Sequence, residues 1–293
     1  MSRTRALAAT LALACAAPLA GEAQAWPFGR KADKPATEQP TAAKPDKTSR
    51  TGGVYAGEPA SPPSTPRKAS PEERAAAARL DPLAQAAFWA REMQVDPADA
   101  DAGVRLSAAL RSLGQHDGAA STAEQVLAAR PGHAPALYEL ARAKLAANQG
   151  FYAIEPLRQI RAQAPTDWRA LNLLGVAMQQ AQRMGEARAA WAEALRLSPE
   201  NPQVLTNMAL ADMAEGRADQ AEATLRRAAA RPDADVRVRQ NLALVLGLRG
   251  RMAEAEAMLR QDLPPEVVAQ NLAWLRTRSG AAPRTWGTLQ GGG

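Results

Sequence analysis

Pro97, Pro131, Pro165 and Pro199 stand 34 residues apart, and the same step carries Ala187 to Ala119, Ala153, Ala221 and Ala255. Two further columns keep the interval. Gly175 steps to Ser107, Ala141, Ala209 and Ala243, and the residue before it runs Leu106, Leu140, Leu174, Met208 and Leu242. A chance register would match one column, not four, so the chain is built from repeated units of this length. In the unit 168–201, Leu171, Leu174, Gly175 and Met178 make the apolar stripe of one helix, and Ala187, Trp191 and Ala194 that of a second. Gln182-Arg183-Met184-Gly185 is the polar break between them, and Pro199 stops the unit. Small residues at the shared columns let two helix backbones approach, while leucine or methionine fills the space beside them. Such a pair cannot bury its apolar face alone, so neighbours must stack.

The series Trp168, Leu171, Leu174, Gly175, Ala187, Trp191, Ala194 and Pro199 resembles the tetratricopeptide pattern. The resemblance implies an all-α fold, a right-handed superhelical solenoid of tetratricopeptide helix pairs with terminal capping helices. Full repeats are expected at 100–133, 134–167, 168–201, 202–235 and 236–269, with a partial repeat at 70–99, where Trp89 falls in the column of Trp191. A capping helix at 265–278, carrying Val267, Val268, Leu272, Trp274 and Leu275, closes the far end. Ser70-Pro71-Glu72-Glu73 reads as a capping box that opens the ordered part, and Asp81-Pro82 restarts a helix. Gly114, Gly216 and Gly250 share one position after the first helix, where a left-handed residue ends it; Asn148 tolerates that conformation and Gln182 is the departure.

Ahead of the repeats, the basic start MSRTR, the apolar stretch from Ala6 to Ala20 and the ending Ala23-Gln24-Ala25 have the three parts of a secretory signal, residues 1–25. Cys15 is the only cysteine, and ALAC resembles a degraded lipobox with Ala12 where leucine is usual, so lipidation at Cys15 is the alternative outcome. Residues 26–69 hold eight prolines among lysine, threonine, serine and glycine. They bury too little apolar surface to offset the entropy of ordering, and a disordered Pro-rich tether is expected. Residues 279–293 read as a flexible tail.

The chemistry for catalysis is poorly represented. His116 and His133 are the only histidines, both expected in turns, without cysteine nearby or the helical spacing of a metal pair. Glu254 and Glu256, or Asp233 and Asp235, read as solvated surface, and no glycine-rich turn is present to cradle phosphate. The net charge of +6 is scattered among acids, with neither a basic stripe nor interleaved aromatics, so nucleic acid is not an expected partner. No cofactor and no metal are expected, and a membrane is a partner only if Cys15 is lipidated. The chain reads as a binding protein, not an enzyme.

In a tetratricopeptide superhelix the first helix of each repeat lines the concave face. The resemblance places Asp101, Arg111, Tyr138, Arg142, Arg169, Asn172, Gln179, Gln203, Thr206, Arg237 and Gln240 there. Four arginines against one aspartate suit an acidic or amide-rich peptide. Asn207 and Asn241 occupy a position that in this family hydrogen-bonds the neighbouring repeat. Residues 236–276 are similar to the end of the TadD proteins, the tetratricopeptide components of bacterial tight-adherence (Flp) pilus assembly, through RQNLAL, Gly250-Arg251 followed by AEAE, and DLPPE with NLAWLR. That resemblance implies a periplasmic or outer-membrane-associated assembly factor whose partners are envelope proteins, the pilus secretin or its assembly proteins among them. A general periplasmic adaptor, for polysaccharide export or cell-wall synthesis, is the alternative.

The signal motif has a direct test. Intact-mass measurement of the chain purified from the envelope should give a mature N-terminus at Trp26; a lipid-modified Cys15 at the N-terminus would reverse that expectation.

Overall fold

The computed structural model describes residues 67–279; the expected signal segment, Cys15, the tether up to residue 66 and the tail from residue 280 lie outside the described residues. The described part holds thirteen helices and no strand. Helices α1 (Pro71–Ala77) and α2 (Pro82–Val95) come first, followed by five pairs. The first helices of the pairs are α3 (Ala100–Ser112), α5 (Ala134–Ala146), α7 (Trp168–Gln180), α9 (Pro202–Ala214) and α11 (Val236–Leu248), each 13 residues long. Their partners are α4 (His116–Ala129), α6 (Gly150–Gln163), α8 (Met184–Leu197), α10 (Ala218–Ala229) and α12 (Met252–Leu259), and α13 (Pro265–Ser279) closes the stack. Each helix packs on its neighbours in the chain, and each first helix also touches the next first helix, with α13 taking that place against α11. This is the all-α solenoid of helix pairs that the residue columns require.

The helix starts are set by side chains at the repeat boundary. Asp99, Asp167, Asn201 and Asp235 accept hydrogen bonds from the exposed amides of α3, α7, α9 and α11, whereas His133 heads α5 without a side-chain cap. Ser70 and Glu73 form the expected capping box on α1. The two histidines are at helix starts instead of within turns: His116 is the first residue of α4 and His133 precedes α5.

The first helices end in one repeated motif. Gln115, Gln149, Arg183, Arg217 and Arg251 donate their amides to the carbonyls of Leu110, Lys144, Met178, Asp212 and Leu246, across 2.8 to 2.9 Å. The residue before each donor adopts positive φ: Gly114 (77°), Asn148 (57°), Gln182 (61°), Gly216 (81°) and Gly250 (83°). This is the Schellman arrangement, in which a left-handed residue returns the chain onto the helix end. Gln182 therefore follows its neighbours and holds a conformation that glycine adopts without a Cβ clash.

The core lies between the paired helices. All five alanines of the 119–255 column are 0 % exposed, and so are Ser107, Ala141, Ala209 and Ala243. Gly175 is where the backbones come closest to a large ring: a Cβ there would lie 2.3 Å from Nε1 of Trp191. That indole is itself fully buried and donates to the carbonyl of Asn172 at 3.1 Å. Where the column of Trp191 carries Leu157, Leu225 or Leu259, the column of Gly175 carries Ala141, Ala209 or Ala243. In these four repeats a larger residue in one column meets a smaller one in the other, as close packing demands, whereas the 100–133 repeat carries the small pair Ala123 and Ser107.

Residues 67–69, expected in the tether, are held against the first helices. Lys68 Nζ lies 2.9 Å from Asp96 and 2.8 Å from Asp99, and the amide of Ala69 donates to buried Glu92 at 3.0 Å. Arg74 joins them by bridging Glu92 and Asp99 at 2.6 and 2.5 Å. A lysine and a backbone amide that meet buried carboxylates gain order which composition alone does not register.

Two substitutions test this packing. Gly175→Ala alone overpacks the indole and costs about 1–3 kcal/mol, and Trp191→Leu alone leaves a cavity; the double change recreates the pair used in three of the other four repeats. Its loss in urea melts should be smaller than the sum of the two single losses by more than about 1 kcal/mol, whereas strict additivity would mean that the two sites do not share a contact. Separately, Gln182→Gly should raise stability by up to about 1 kcal/mol, the relief of left-handed strain exceeding the added entropy of the unfolded chain. A lowered denaturation midpoint would contradict this.

Candidate protein-binding groove

The first helices α3, α5, α7, α9 and α11 lie side by side, so their free faces form one continuous inner surface. At its α3–α5 end, Arg111 and Arg142 converge on Glu139. Arg111 Nε donates to Glu139 Oε2 at 3.1 Å, and the Arg142 guanidinium donates to Glu139 Oε1 at 2.7 Å. The Arg142 guanidinium also lies 5.2 Å over the ring of Tyr138. The Tyr138 hydroxyl donates to Asp167 Oδ2 at 2.8 Å, reaching from α5 to the cap of α7. Burial, and then this hydrogen bond, push the Tyr138 phenol well above its usual range, so it stays a neutral donor. Burial and neighbouring Arg111 hold the His116 imidazole below its ordinary pKa.

The other expected groove residues divide by burial. Arg169 is exposed, 3.7 Å from Asp167 and stacked 5.5 Å from the ring of Trp168. Arg237 is half-buried, 3.5 Å from Asp235. Gln179 and Gln203 are half-buried, and Asp101 is exposed and paired with Arg105. Asn172, Thr206 and Gln240 are buried and offer a partner little surface. Asn172 accepts from Asn207 of the next repeat at 2.9 Å, and Thr206 Oγ1 donates to the carbonyl of Pro202 at 2.7 Å. Arg111 is likewise buried, at 2 % exposure. Asn172 and Arg111 are thus used between neighbouring repeats and Thr206 within its own helix.

The charge balance also differs from expectation. Each of the four arginines has a carboxylate within ion-pair distance: Glu139 serves Arg111 and Arg142, Asp167 serves Arg169 and Asp235 serves Arg237. The groove is therefore close to neutral along its length, with its surplus positive charge at Glu139, where two guanidiniums share one carboxylate. Asp167 and Asp235 were legible as repeat-boundary caps. Glu139 stands two repeats ahead of Asn207 and three ahead of Asn241, in the register position expected to bond a neighbouring repeat, and that is the signal that could have found it. Stepping Arg142 by one repeat gives Val176, Leu210 and Leu244, all buried, so the ionic arrangement is confined to one end.

Among the described residues no cluster of histidine, cysteine and carboxylate groups has the geometry of a metal site, and no helix is long and apolar enough to cross a membrane.

Comparison with known proteins agrees with this geometry. Residues 110–177 and 178–245 match the tetratricopeptide-repeat family profile. TTC0263, a thermophilic tetratricopeptide protein of Thermus thermophilus, is 25 % identical with a TM-score of 0.53, over 61 % of this chain and 99 % of that one. A tetratricopeptide repeat protein of Parabacteroides merdae aligns over 70 % of this chain and 83 % of its own at 14 % identity and a TM-score of 0.55. MamA of Desulfovibrio magneticus RS-1 aligns over 53 % of this chain and 86 % of its own at 23 % identity and a TM-score of 0.46. No curated protein sequence matches the chain.

Proposed function

We propose that this tetratricopeptide-repeat chain is a protein–protein interaction scaffold of the bacterial cell envelope and supports assembly of a tight-adherence (Flp) pilus. Tetratricopeptide repeats are protein-binding units and generally not enzymes, and the stacked first helices present the surface such units use. The observation that carries the finer reading is the C-terminal segment similar to the TadD proteins. RQNLAL lies in α11, the Gly250-Arg251 turn leads into AEAE of α12, and DLPPE opens α13, which contains NLAWLR. These phrases form one packed unit: a Cβ on Gly247 of α11 would meet Leu275 of α13 at 2.4 Å, and Leu242, Leu246, Leu259, Leu272 and Leu275 share one core. The scaffold works from the periplasm, at or near the outer membrane, with envelope proteins such as the pilus secretin or its assembly proteins as partners.

The reading is tested in a strain lacking the chain. Surface pili should be lost and restored by the wild-type chain, and envelope crosslinking should recover the secretin with it. Arg169→Glu combined with Arg237→Glu should leave thermal melting unchanged, because both side chains lie outside the closely packed core, yet lower that recovery about tenfold or more. Normal piliation in the null strain would overturn the assignment to this pathway.

A further inference from the structure

Of the five large apolar side chains exposed among the described residues, four stand at the turns between paired helices: Leu80 at 46 %, Leu83 at 67 %, Phe151 at 67 % and Tyr152 at 64 %. Leu83 and Phe151 occupy one register position two repeats apart, and the repeat between them places Asp117 there. Because the first helices lie side by side, the pair turns line up along one edge of the stack, at the helix ends instead of on the inner faces. Between the two apolar spots this edge is low. A Cβ on Gly114 would meet nothing within 4 Å, and one on Gly118 only Leu110, at 3.7 Å. With helices spaced 8–10 Å apart, the two spots and their glycine floor make a shallow track of roughly 20 Å. Large apolar groups gathered in this way mark a contact surface.

The chain itself carries a matching segment. Between residues 29 and 66 the only large apolar side chains are Val54 and Tyr55. Tyr55 is separated by 12 residues from Arg67, which pairs with Glu73 at the start of α1. A chain of that length has a root-mean-square reach of about 20 Å. Helix α1 has 7 residues and is only about 10 Å long, so Tyr55 can reach the α1–α2 turn. We propose that the turn edge is the docking site of the chain's own segment 45–58, with Val54 and Tyr55 against Leu80 and Leu83, and Pro45 against the rings of Phe151 and Tyr152. From Tyr55 to Pro45 an extended proline-type chain covers about 31 Å, enough to pass two repeats. Proline rings pack on exposed aromatic faces, and Phe151 and Tyr152 present two, set edge to face at 5.6 Å. Charge sets the direction. Exposed Arg79 stands beside Leu80 and exposed Asp117 beyond Leu83, while the segment carries Glu58 after Tyr55 and Arg50 before Val54. Laid from the α1–α2 turn toward α6, the segment brings acid to base at both ends of the apolar contact. Linkage through residues 59–66 raises its effective concentration, so contacts too weak to hold a separate peptide suffice. Docked there, the tether covers the apolar row and leaves the inner surface open to a partner.

The test places p-benzoylphenylalanine at Tyr55 or at Ala43 of the full chain and maps photocrosslinks by tryptic digestion and mass spectrometry. Position 55 should label chiefly the peptide Leu80–Arg91, and position 43 the peptide Leu145–Arg158. Leu80→Ser with Leu83→Ser should cut labelling from position 55 about tenfold, the loss expected when roughly 60 Å² of apolar burial is removed. Helical content should stay unchanged, because both side chains are exposed. Val54→Ser, which lies outside the helices and so leaves the stack intact, should lower the same labelling. In a mixture of nitrogen-15 and unlabelled chains, each crosslink should join residues of a single chain. Labelling spread over the surface in proportion to exposure, labelling that survives both the serine pair and Val54→Ser, or crosslinks that join heavy to light chains would overturn the proposal. The pilus assignment is judged by the null strain, so loss of one reading leaves the other standing.

Discussion

The contact between the two helices of a pair is built on small, fully buried residues in every repeat, and the rest of the stack depends on it. Every alanine of the 119–255 column is fully buried because the second helix presses that face against the first. A larger side chain there would push the backbones apart and tilt every later repeat, since a solenoid passes a local rotation along its length. The size of the neighbouring pair is matched for the same reason. Glycine stands opposite tryptophan in the 168–201 repeat, and alanine opposite leucine in the repeats on either side. Volume is conserved while the residues change, which is how a close-packed interior tolerates variation.

The turn between paired helices is the second determinant. Five Schellman turns join each second helix to its first through the same hydrogen bond, and three of the five left-handed positions are glycine. Between repeats the joints are more polar. At the joint that follows the 168–201 repeat, Arg188 of α8 donates to buried Asp212 of α9 at 2.7 Å and to Glu215 at 3.1 Å, while Arg217 donates to the same Asp212 carboxylate at 2.8 Å. Burial outweighs Arg188 and leaves the Asp212 carboxyl above its ordinary pKa. Removing an arginine here would leave a buried carboxylate poorly compensated, which costs more than the pair itself contributes.

The groove shows how a row of like charges is matched by carboxylates. Helix caps at repeat boundaries have a structural role, satisfying the first amides of the next helix, and Asp167 and Asp235 also neutralise the arginines two residues on. His133 heads α5 where an acid heads α3, α7 and α11, and among the described residues no cap carboxylate lies within ion-pair distance of Arg142. Glu139 takes that part from within the helix and is shared with Arg111. One irregular cap thus accompanies the one place where positive charge exceeds negative.

The repeat length, the helix pairs, the buried alanine column and the left-handed turn positions were all legible in the sequence. Each recurs every 34 residues and depends on contacts inside a single unit, so periodicity reports it directly. Gln182 shows the strength of this local rule, because it adopts the left-handed conformation although the residue itself does not favour it. Which polar side chains face a partner was not legible. Arg111, Asn172, Thr206 and Gln240 occupy groove positions by register, yet packing draws them inside. The pairing of Arg111 with Glu139 spans 28 residues, from one repeat to the next, and the residue types at the two positions change from repeat to repeat. Such contacts depend on how adjacent units are stacked, on side-chain reach and on what else competes for the same carboxylate. Those quantities are non-local and aperiodic, and only the tertiary structure decides them.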